Sequence, residues 1–96
     1  MIKVYKILRP DEWSEFQKLK IFSGSIHDKR DGFIHLSSAN QLDFVIQNFF
    51  KDEPLLYIIC FENLSDIKWE KASNGDSFPH LYNTLKLEDI VEVIEK

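Results

Sequence analysis

One short stretch of this chain, Asp31-Gly32-Phe33-Ile34-His35-Leu36-Ser37-Ser38, carries three structural signals in a row. Asp31-Gly32 is typical of a turn, the residues after it favour a strand, and Ser38 begins a helix-capping pattern. Alternate side chains of a strand share a face, which places Phe33, His35 and Ser37 together. We therefore predict a strand over residues 33–37 that carries a histidine and a serine to the start of a helix.

The clearest predicted helix follows this strand. Ser38 is followed three residues later by Gln41, the spacing of a capping box. Apolar residues then recur at the spacing of one helix face, at Leu42, Val45, Ile46, Phe49 and Phe50. We expect a helix from about residue 39 to residue 50 that packs on a sheet.

The remaining segments add strands and one more helix. Residues 2–8 alternate and predict a half-buried strand, and Pro10 begins a helix that we extend to about residue 21. Residues 26–30 are polar and are interpreted as a loop. Residues 55–61 are continuously apolar, which favours a central strand covered on both faces. Three further extended segments are expected over residues 67–70, 78–85 and 90–94.

This order of elements is typical of an α+β fold with two helices packed on a mixed, mostly antiparallel sheet. The length of 96 residues suits a single domain over residues 1–96. A net charge of −4 offers no basic surface for bulk nucleic-acid binding. The charges of Lys3 and Lys6 come too early for the apolar core of a signal peptide. The lack of an apolar run of ~20 residues predicts no membrane span, and we expect a cytoplasmic protein.

Two polar segments suggest a site. His35 and Ser37 share a strand face, and a second polar segment, residues 74–82, contains His80 and Tyr82. Histidine suits proton transfer and the binding of phosphate or ribose oxygens. Glu70, at the end of a short strand, is a candidate general base. A purely structural role for both histidines remains an alternative.

Other candidate chemistries have less support in the sequence. Arg30, before the Asp31-Gly32 turn, is a candidate anion ligand, although the sequence favours a solvated loop at this position. Neither a His-x-x-x-His nor a Cys-x-x-Cys pair occurs, so no metal site is predicted. Cys60 lies in the apolar strand and is expected to be buried and unreactive.

The segments Gly32-Phe33-Ile34-His35-Leu36-Ser37 and Phe78-Pro79-His80-Leu81-Tyr82 resemble a small bacterial family known as domain of unknown function 952. The resemblance covers nearly the whole chain and implies an ADP-ribosyltransferase-like fold. Residues 33–37 and the following helix are similar to the histidine-leucine-serine segment of the RNA 2′-phosphotransferases, which use NAD. That similarity implies NAD as a cofactor, with His35 and Ser37 on the nucleotide and His80, Tyr82 or Glu70 in the same cleft.

The chain departs from the phosphotransferases in ways that affect the functional prediction. Its first strand has no histidine, Arg9 and Arg30 are the only arginines, and the chain is much shorter. We expect a pocket for a nucleotide or another phosphorylated small molecule, with ADP-ribosyl or phosphate transfer as the implied reaction. The alternative is a non-catalytic binding or interaction module on the same fold, so the sequence leaves enzymatic activity open.

Overall fold

A computed structural model describes residues 2–96 and shows an α+β architecture. The strands within these residues are β1 (Lys3–Leu8), β2 (Ile21–Phe22), β3 (Ile34–His35), β4 (Tyr57–Glu62), β5 (Ile67–Lys71), β6 (Ser77–Leu81), β7 (Leu85–Lys86) and β8 (Ile90–Glu95). The helices are α1 (Pro10–Leu19), α2 (Ile26–Asp31) and α3 (Leu42–Phe49), with 3₁₀ turns at Ala39–Gln41 and Leu87–Asp89. None of the helices in this part of the chain is long and apolar enough to cross a bilayer.

The strands form three small sheets, with the orders β1-β4-β8, β2-β7 and β3-β6-β5. Every strand pairing within residues 2–96 is antiparallel. β4 lies between β1 and β8 and is buried along its middle, which confirms the prediction of a central strand. The prediction of a single mixed sheet is therefore wrong in its details, because the short strands pair in separate sheets.

Apolar side chains cover both faces of the β1–β4 pair. On one face Val4 and Leu8 pack in a cluster with Phe16 of α1. On the other face Tyr5 and Ile7 form a second cluster, which α3 covers with the apolar stripe predicted from the sequence. β1 is therefore buried on both faces from Val4 onward, and the expectation of a half-buried strand is wrong.

The β3-β6-β5 sheet joins the larger sheet through a bridge between Tyr5 and Ser37. The Tyr5 amide donates to the Ser37 carbonyl at 2.8 Å, and the Ser37 amide donates to the Tyr5 carbonyl at 2.9 Å. The regular strand predicted over residues 33–37 is limited to Ile34–His35, because Ser37 pairs with β1 rather than continuing along β6. This bridge sets the position of His35 against the main core.

The segment interpreted as a loop is the helix α2. Ser25 caps it: the Asp28 amide donates to Ser25 Oγ at 3.1 Å, and the Ser25 amide donates to Asp28 Oδ2 at 2.9 Å. Gly32 ends the helix with a φ of 85°, a left-handed conformation that glycine adopts without strain. The helix is not amphipathic in the usual way, since Ile26 is almost fully exposed, and this is why apolar periodicity missed it.

Several boundaries also differ from the predictions. α1 ends at Leu19 because Lys20 takes a left-handed φ of 66°, and Ile21 then pairs with β7 instead of extending the helix. The second predicted helix begins as a 3₁₀ turn and becomes α-helical at Leu42. The extended segment expected over residues 78–85 is divided into β6 and β7. α2 makes a third α-helix where two were expected.

Candidate functional site

Pairing between β3 and β6 brings the two predicted histidines together. His35 lies directly opposite His80 in the register of the two strands. Opposite residues of an antiparallel pair project from the same face of a sheet. Accordingly, the two ring centroids are 5.7 Å apart, with an angle of 68° between the ring planes.

Each histidine is held at Nδ1 by a carboxylate. His35 Nδ1 lies 2.6 Å from Asp28 Oδ1, and His80 Nδ1 lies 2.7 Å from Glu70 Oε1. An ionised carboxylate only accepts hydrogen bonds, so Nδ1 is the donor in both pairs. Such a bond fixes the orientation of the ring and leaves Nε2 for other contacts: in His35 this atom lies 3.0 Å from Asp31 Oδ2, and in His80 it is the nitrogen that can meet a ligand.

Asp28 is the most strongly engaged acid of the site. Its carboxylate accepts hydrogen bonds from the His35 ring and amide, from the Ser25 amide, and from Lys6 Nζ at 2.8 Å. Burial alone would raise the pKa of Asp28, but the hydrogen bond from His35 and the charge of Lys6 outweigh it and hold this pKa well below its ordinary value. Asp28 is therefore an anchor with a fixed negative charge.

Lys6 completes this buried arrangement. Its ammonium group donates to Asp28 and also to the His35 carbonyl oxygen, at 3.1 Å. Burial lowers the pKa of Lys6, while the charge of Asp28 acts in the opposite direction. A buried ion pair with these additional hydrogen bonds links β1, α2 and β3 at one point.

One carboxylate oxygen of Glu70 accepts hydrogen bonds from two donors. The Tyr82 hydroxyl donates to Glu70 Oε1 at 2.7 Å, and the same atom accepts from His80. The Tyr82 hydrogen bond, followed by the His80 bond, lowers the pKa of Glu70. The bond to Glu70 in turn raises the pKa of Tyr82. The ionised carboxylate of Glu70 therefore accepts the hydrogen bond from His80 and positions that ring.

Phe33 packs against both histidines. Its ring stacks on His80 with centroids 4.0 Å apart and planes at 22°, and it lies 4.7 Å from His35 and 5.5 Å from Tyr82. An aromatic ring between imidazoles restricts their rotation and excludes water from one side of each ring.

His35 and His80 line a cavity of about 350 Å³. Its polar wall also includes Lys6, Arg9 and Ser37. The opposite wall is apolar and comes mainly from α3 and the start of β6, with the residues Phe44, Val45, Phe49, Phe50 and Phe78. A cavity of this size, with one apolar wall and a few grouped polar atoms, is typical of small-molecule sites.

The six predicted site residues thus fall into two groups in the structure, those that line the cavity and those that do not. His35, Ser37 and His80 line the cavity. Glu70 and Tyr82 lie behind His80 and, in the described part of the chain, are not among the lining residues. Arg30 is in the last turn of α2, likewise outside the cavity wall of residues 2–96, where its guanidinium contacts His27 and Asp31.

The sequence reasoning missed Asp28, Lys6 and Phe33. Asp28 follows Ser25 at the spacing of a capping box, a signal that was present but overlooked. Lys6 interrupts the apolar pattern of β1, and a lysine inside a buried strand indicates a buried acidic partner. Phe33 was placed on the correct face, although its contact with His80 depends on strand pairing that no local pattern reveals.

Comparisons with known proteins identify one family and one structurally similar protein. A family model described as "Protein of unknown function (DUF952)" matches residues 7–93. The crystal structure of protein CC0527 from Caulobacter crescentus has 33% sequence identity and a TM-score of 0.87, and the match covers 97% of this chain and 84% of that one. The solution structure of CC0527 has 34% identity and a TM-score of 0.86, covering 98% and 84%. No curated protein matches the chain significantly.

Proposed function

We propose that this chain, which belongs to the DUF952 family of proteins of unknown function, binds a nucleotide or a similar phosphorylated small molecule in the cavity beside His35 and His80. One observation carries this proposal. Two imidazoles, each held at Nδ1 by a carboxylate, line the same cavity as a group of aromatic side chains. The Nε2 atom of such a ring accepts a hydrogen bond from a ribose hydroxyl when the ring is neutral and donates to a phosphate oxygen when the ring is protonated, and aromatic rings suit a nucleobase.

The two walls of the cavity favour a ligand with one flat apolar part and one polar part. The rings of Phe44 and Phe78 lie 6.3 Å apart at 36° and provide an aromatic surface for a base. Arg9 contributes the outermost positive charge of the polar wall, although Glu53 shares its guanidinium at 3.0 Å. Because Lys6 is neutralised by Asp28, the wall suits a ligand with few negative charges rather than a polyphosphate.

In the catalytic form of this proposal His80 carries the proton and His35 orients a ribose or phosphate oxygen. Glu70 then acts as a positioning residue, because it contacts His80 Nδ1 from outside the cavity. Positioned imidazoles contribute to transfer reactions as general acids or bases near neutral pH. The resemblance of residues 33–37 to the RNA 2′-phosphotransferases, which is a prediction from the sequence alone, makes ADP-ribosyl or phosphate transfer the reaction to test, with NAD as the first cofactor. The ADP-ribosyltransferase-like fold and the cytoplasmic location stay predictions.

A non-catalytic binding module is the second candidate. Glu70 and Tyr82 support His80 from behind, and Arg30 contacts the far side of His27, so the cavity wall within residues 2–96 offers fewer reactive groups than the sequence predicted. This observation favours a protein that binds its ligand without catalysing a reaction on it. Both candidates use the same cavity and differ in whether the bound ligand is changed.

Isothermal titration calorimetry with NAD, ADP-ribose, AMP and a 2′-phosphorylated oligonucleotide tests the proposal. We expect at least one of these ligands to bind, and we expect His80→Ala and Phe44→Ala to weaken its binding at least about tenfold, as the loss of a charge-assisted hydrogen bond or a stacked ring does. Glu15→Gln, an exposed change on α1, is the matched control and should leave binding unchanged. Absence of binding in the folded protein contradicts the proposal.

Incubation of the bound ligand with the protein separates the two candidates. Release of nicotinamide from NAD, or of phosphate from the oligonucleotide, that His80→Ala abolishes supports the catalytic form. Tight binding with an unchanged ligand supports the binding module.

A further inference from the structure

A second cluster of ligating side chains lies at the end of α2, on the side of His35 that faces away from His80. His27 and Asp31 are one helical turn apart and project from the same side of α2. Gly32 then reverses the chain and returns His35 over the last turn of this helix. The resulting spacing is His-x-x-x-Asp-x-x-x-His, and the ring centroids of the two histidines are 4.9 Å apart.

The ligating atoms of this cluster converge. Asp31 Oδ2 lies 3.0 Å from His35 Nε2 and 3.4 Å from His27 Nε2. The three side chains can place one ligating atom each within 4.8 Å of one another. Around a tetrahedral ion with bonds of about 2.0–2.1 Å, neighbouring ligand atoms are roughly 3.3 Å apart. Small side-chain rotations therefore suffice for all three atoms to reach a common ion.

A separate observation concerns the partner of His35. Asp28, with a side chain only 2% exposed, accepts the Nδ1 proton of His35 at 2.6 Å. Nε2 of the neutral ring then presents a lone pair, yet it faces the carboxylate oxygen of Asp31. Two acceptors at 3.0 Å require a proton or a cation between them. A carboxylate behind the distal nitrogen of a ligating histidine is the usual outer-sphere arrangement of metal sites.

The geometry points to a binding site for a divalent transition-metal ion of the zinc class, formed by His27, Asp31 and His35 and supported by Asp28. Two imidazole nitrogens and one carboxylate oxygen suit zinc and its neighbours, whereas magnesium and calcium prefer oxygen ligands alone. Three protein ligands leave one or more positions open. Because His27 and His35 also line the cavity, these open positions lie at its edge.

Arg30 is the group that competes with such an ion. Its guanidinium lies 3.0 Å from His27 Nδ1 and 3.3 Å from His27 Nε2, and its Nε lies 3.4 Å from Asp31 Oδ1. The guanidinium therefore already provides a positive charge beside these ligands. Its side chain is 67% exposed and can swing into solvent when an ion binds.

This inference goes beyond the proposed function, since binding of an ion requires no organic ligand. The test is calorimetric titration of the full chain with Zn²⁺, together with the visible absorption of Co²⁺ as a report on coordination. We expect one Zn²⁺ per chain. Asp31→Asn and His27→Ala should each weaken Zn²⁺ binding at least about tenfold and abolish the Co²⁺ spectrum. Both positions are partly or largely exposed, so the variants should fold.

Two further variants sharpen the test. Asp43→Asn removes an exposed carboxylate on α3 and is the matched control, which should leave binding unchanged. Arg30→Ala should tighten Zn²⁺ binding by roughly threefold to tenfold, the effect of removing a unit charge beside a divalent ion at a screened surface site.

The outcomes separate this site from the nucleotide cavity. We expect Asp31→Asn to lose Zn²⁺ binding and keep nucleotide binding. We expect His80→Ala to keep Zn²⁺ binding and lose nucleotide binding. Absence of Zn²⁺ and Co²⁺ binding overturns the metal site and leaves the cavity proposal intact. Binding that survives both His27→Ala and Asp31→Asn also overturns it, as does binding that depends on His80 instead of Asp31.

Discussion

The two carboxylate–histidine pairs of this protein have the same geometry and different surroundings. Asp28 and Glu70 each meet a histidine Nδ1, at 2.6 and 2.7 Å. The side chain of Asp28 is 2% exposed and also binds a buried lysine, whereas that of Glu70 is 42% exposed and shares its oxygen with an exposed tyrosine. We call Asp28–His35 the buried pair and Glu70–His80 the exposed pair after their carboxylates, since the side chains of His35 and His80 are themselves 33% and 14% exposed.

The largest expected effect is the loss of the buried acid. Asp28→Ala removes the acceptor of four hydrogen bonds and leaves the ammonium group of Lys6 buried without its counter-charge. Breaking a buried ion pair costs about 3–5 kcal/mol, and we expect a loss of this size in the free energy of unfolding. Urea denaturation measures it. Glu70→Ala is the matched variant of the exposed pair and should cost clearly less.

A second substitution identifies the cause of that loss. If the buried charge is responsible, adding Lys6→Met to Asp28→Ala should recover part of the lost stability, because no uncompensated ammonium group remains. A double variant as unstable as the single variant, or equal losses for Asp28→Ala and Glu70→Ala, would contradict the difference drawn between the two pairs.

Acid should affect the two pairs unequally as well. The folded-state pKa of Asp28 is below its ordinary value of 3.8, so its contribution to stability is present above that pH and is lost as the pH falls below it. Lys6 and His35 face this carboxylate, and the ordinary pKa of the Asp28 carboxyl is the one that lies within this acid range.

We therefore expect the stability difference between the wild-type protein and Asp28→Asn to shrink as the pH falls from about 5 to about 2. The pKa of Glu70 is lowered too, so Glu70→Gln should follow the same direction, with a smaller change because solvent screens this group. Denaturation at several pH values measures both. A difference for Asp28→Asn that stays constant with pH would show that its folded-state pKa is not depressed.

Both members of the exposed pair were predicted as site residues from the sequence, but only the histidine of the buried pair was, for a physical reason. His80 and Glu70 lie on strands and Tyr82 directly follows β6, so local alternation and turn residues indicate the faces that these side chains share. Asp28 lies on a six-residue helix without an apolar stripe, so periodicity indicated a loop. Its partner Lys6 comes from β1, and the contact depends on tertiary packing.

The same reasoning explains which parts of the fold were predictable. The apolar run of β4 and the apolar stripe of α3 are local patterns, and both were recovered with small boundary errors. Strand pairing is not a local property, so the division into three sheets and the bridge from Tyr5 to Ser37 were missed. That bridge holds Ser37 buried in the cavity wall, at 4% exposure, close in sequence to His35.

The smallest expected effect concerns the exposed pair alone. Tyr82→Phe removes the hydroxyl that donates to Glu70 Oε1, the main cause of the lowered pKa of Glu70. We expect the pKa of Glu70 to rise toward its ordinary value of 4.5 without reaching it, because the His80 hydrogen bond remains. Carboxyl ¹³C NMR during a pH titration measures the shift. Tyr57→Phe removes a hydroxyl that lies elsewhere, at the start of β4, and is the control. An unchanged Glu70 titration in Tyr82→Phe would mean that His80 alone holds this carboxylate, and the exposed pair would then resemble the buried one more closely than its surroundings suggest.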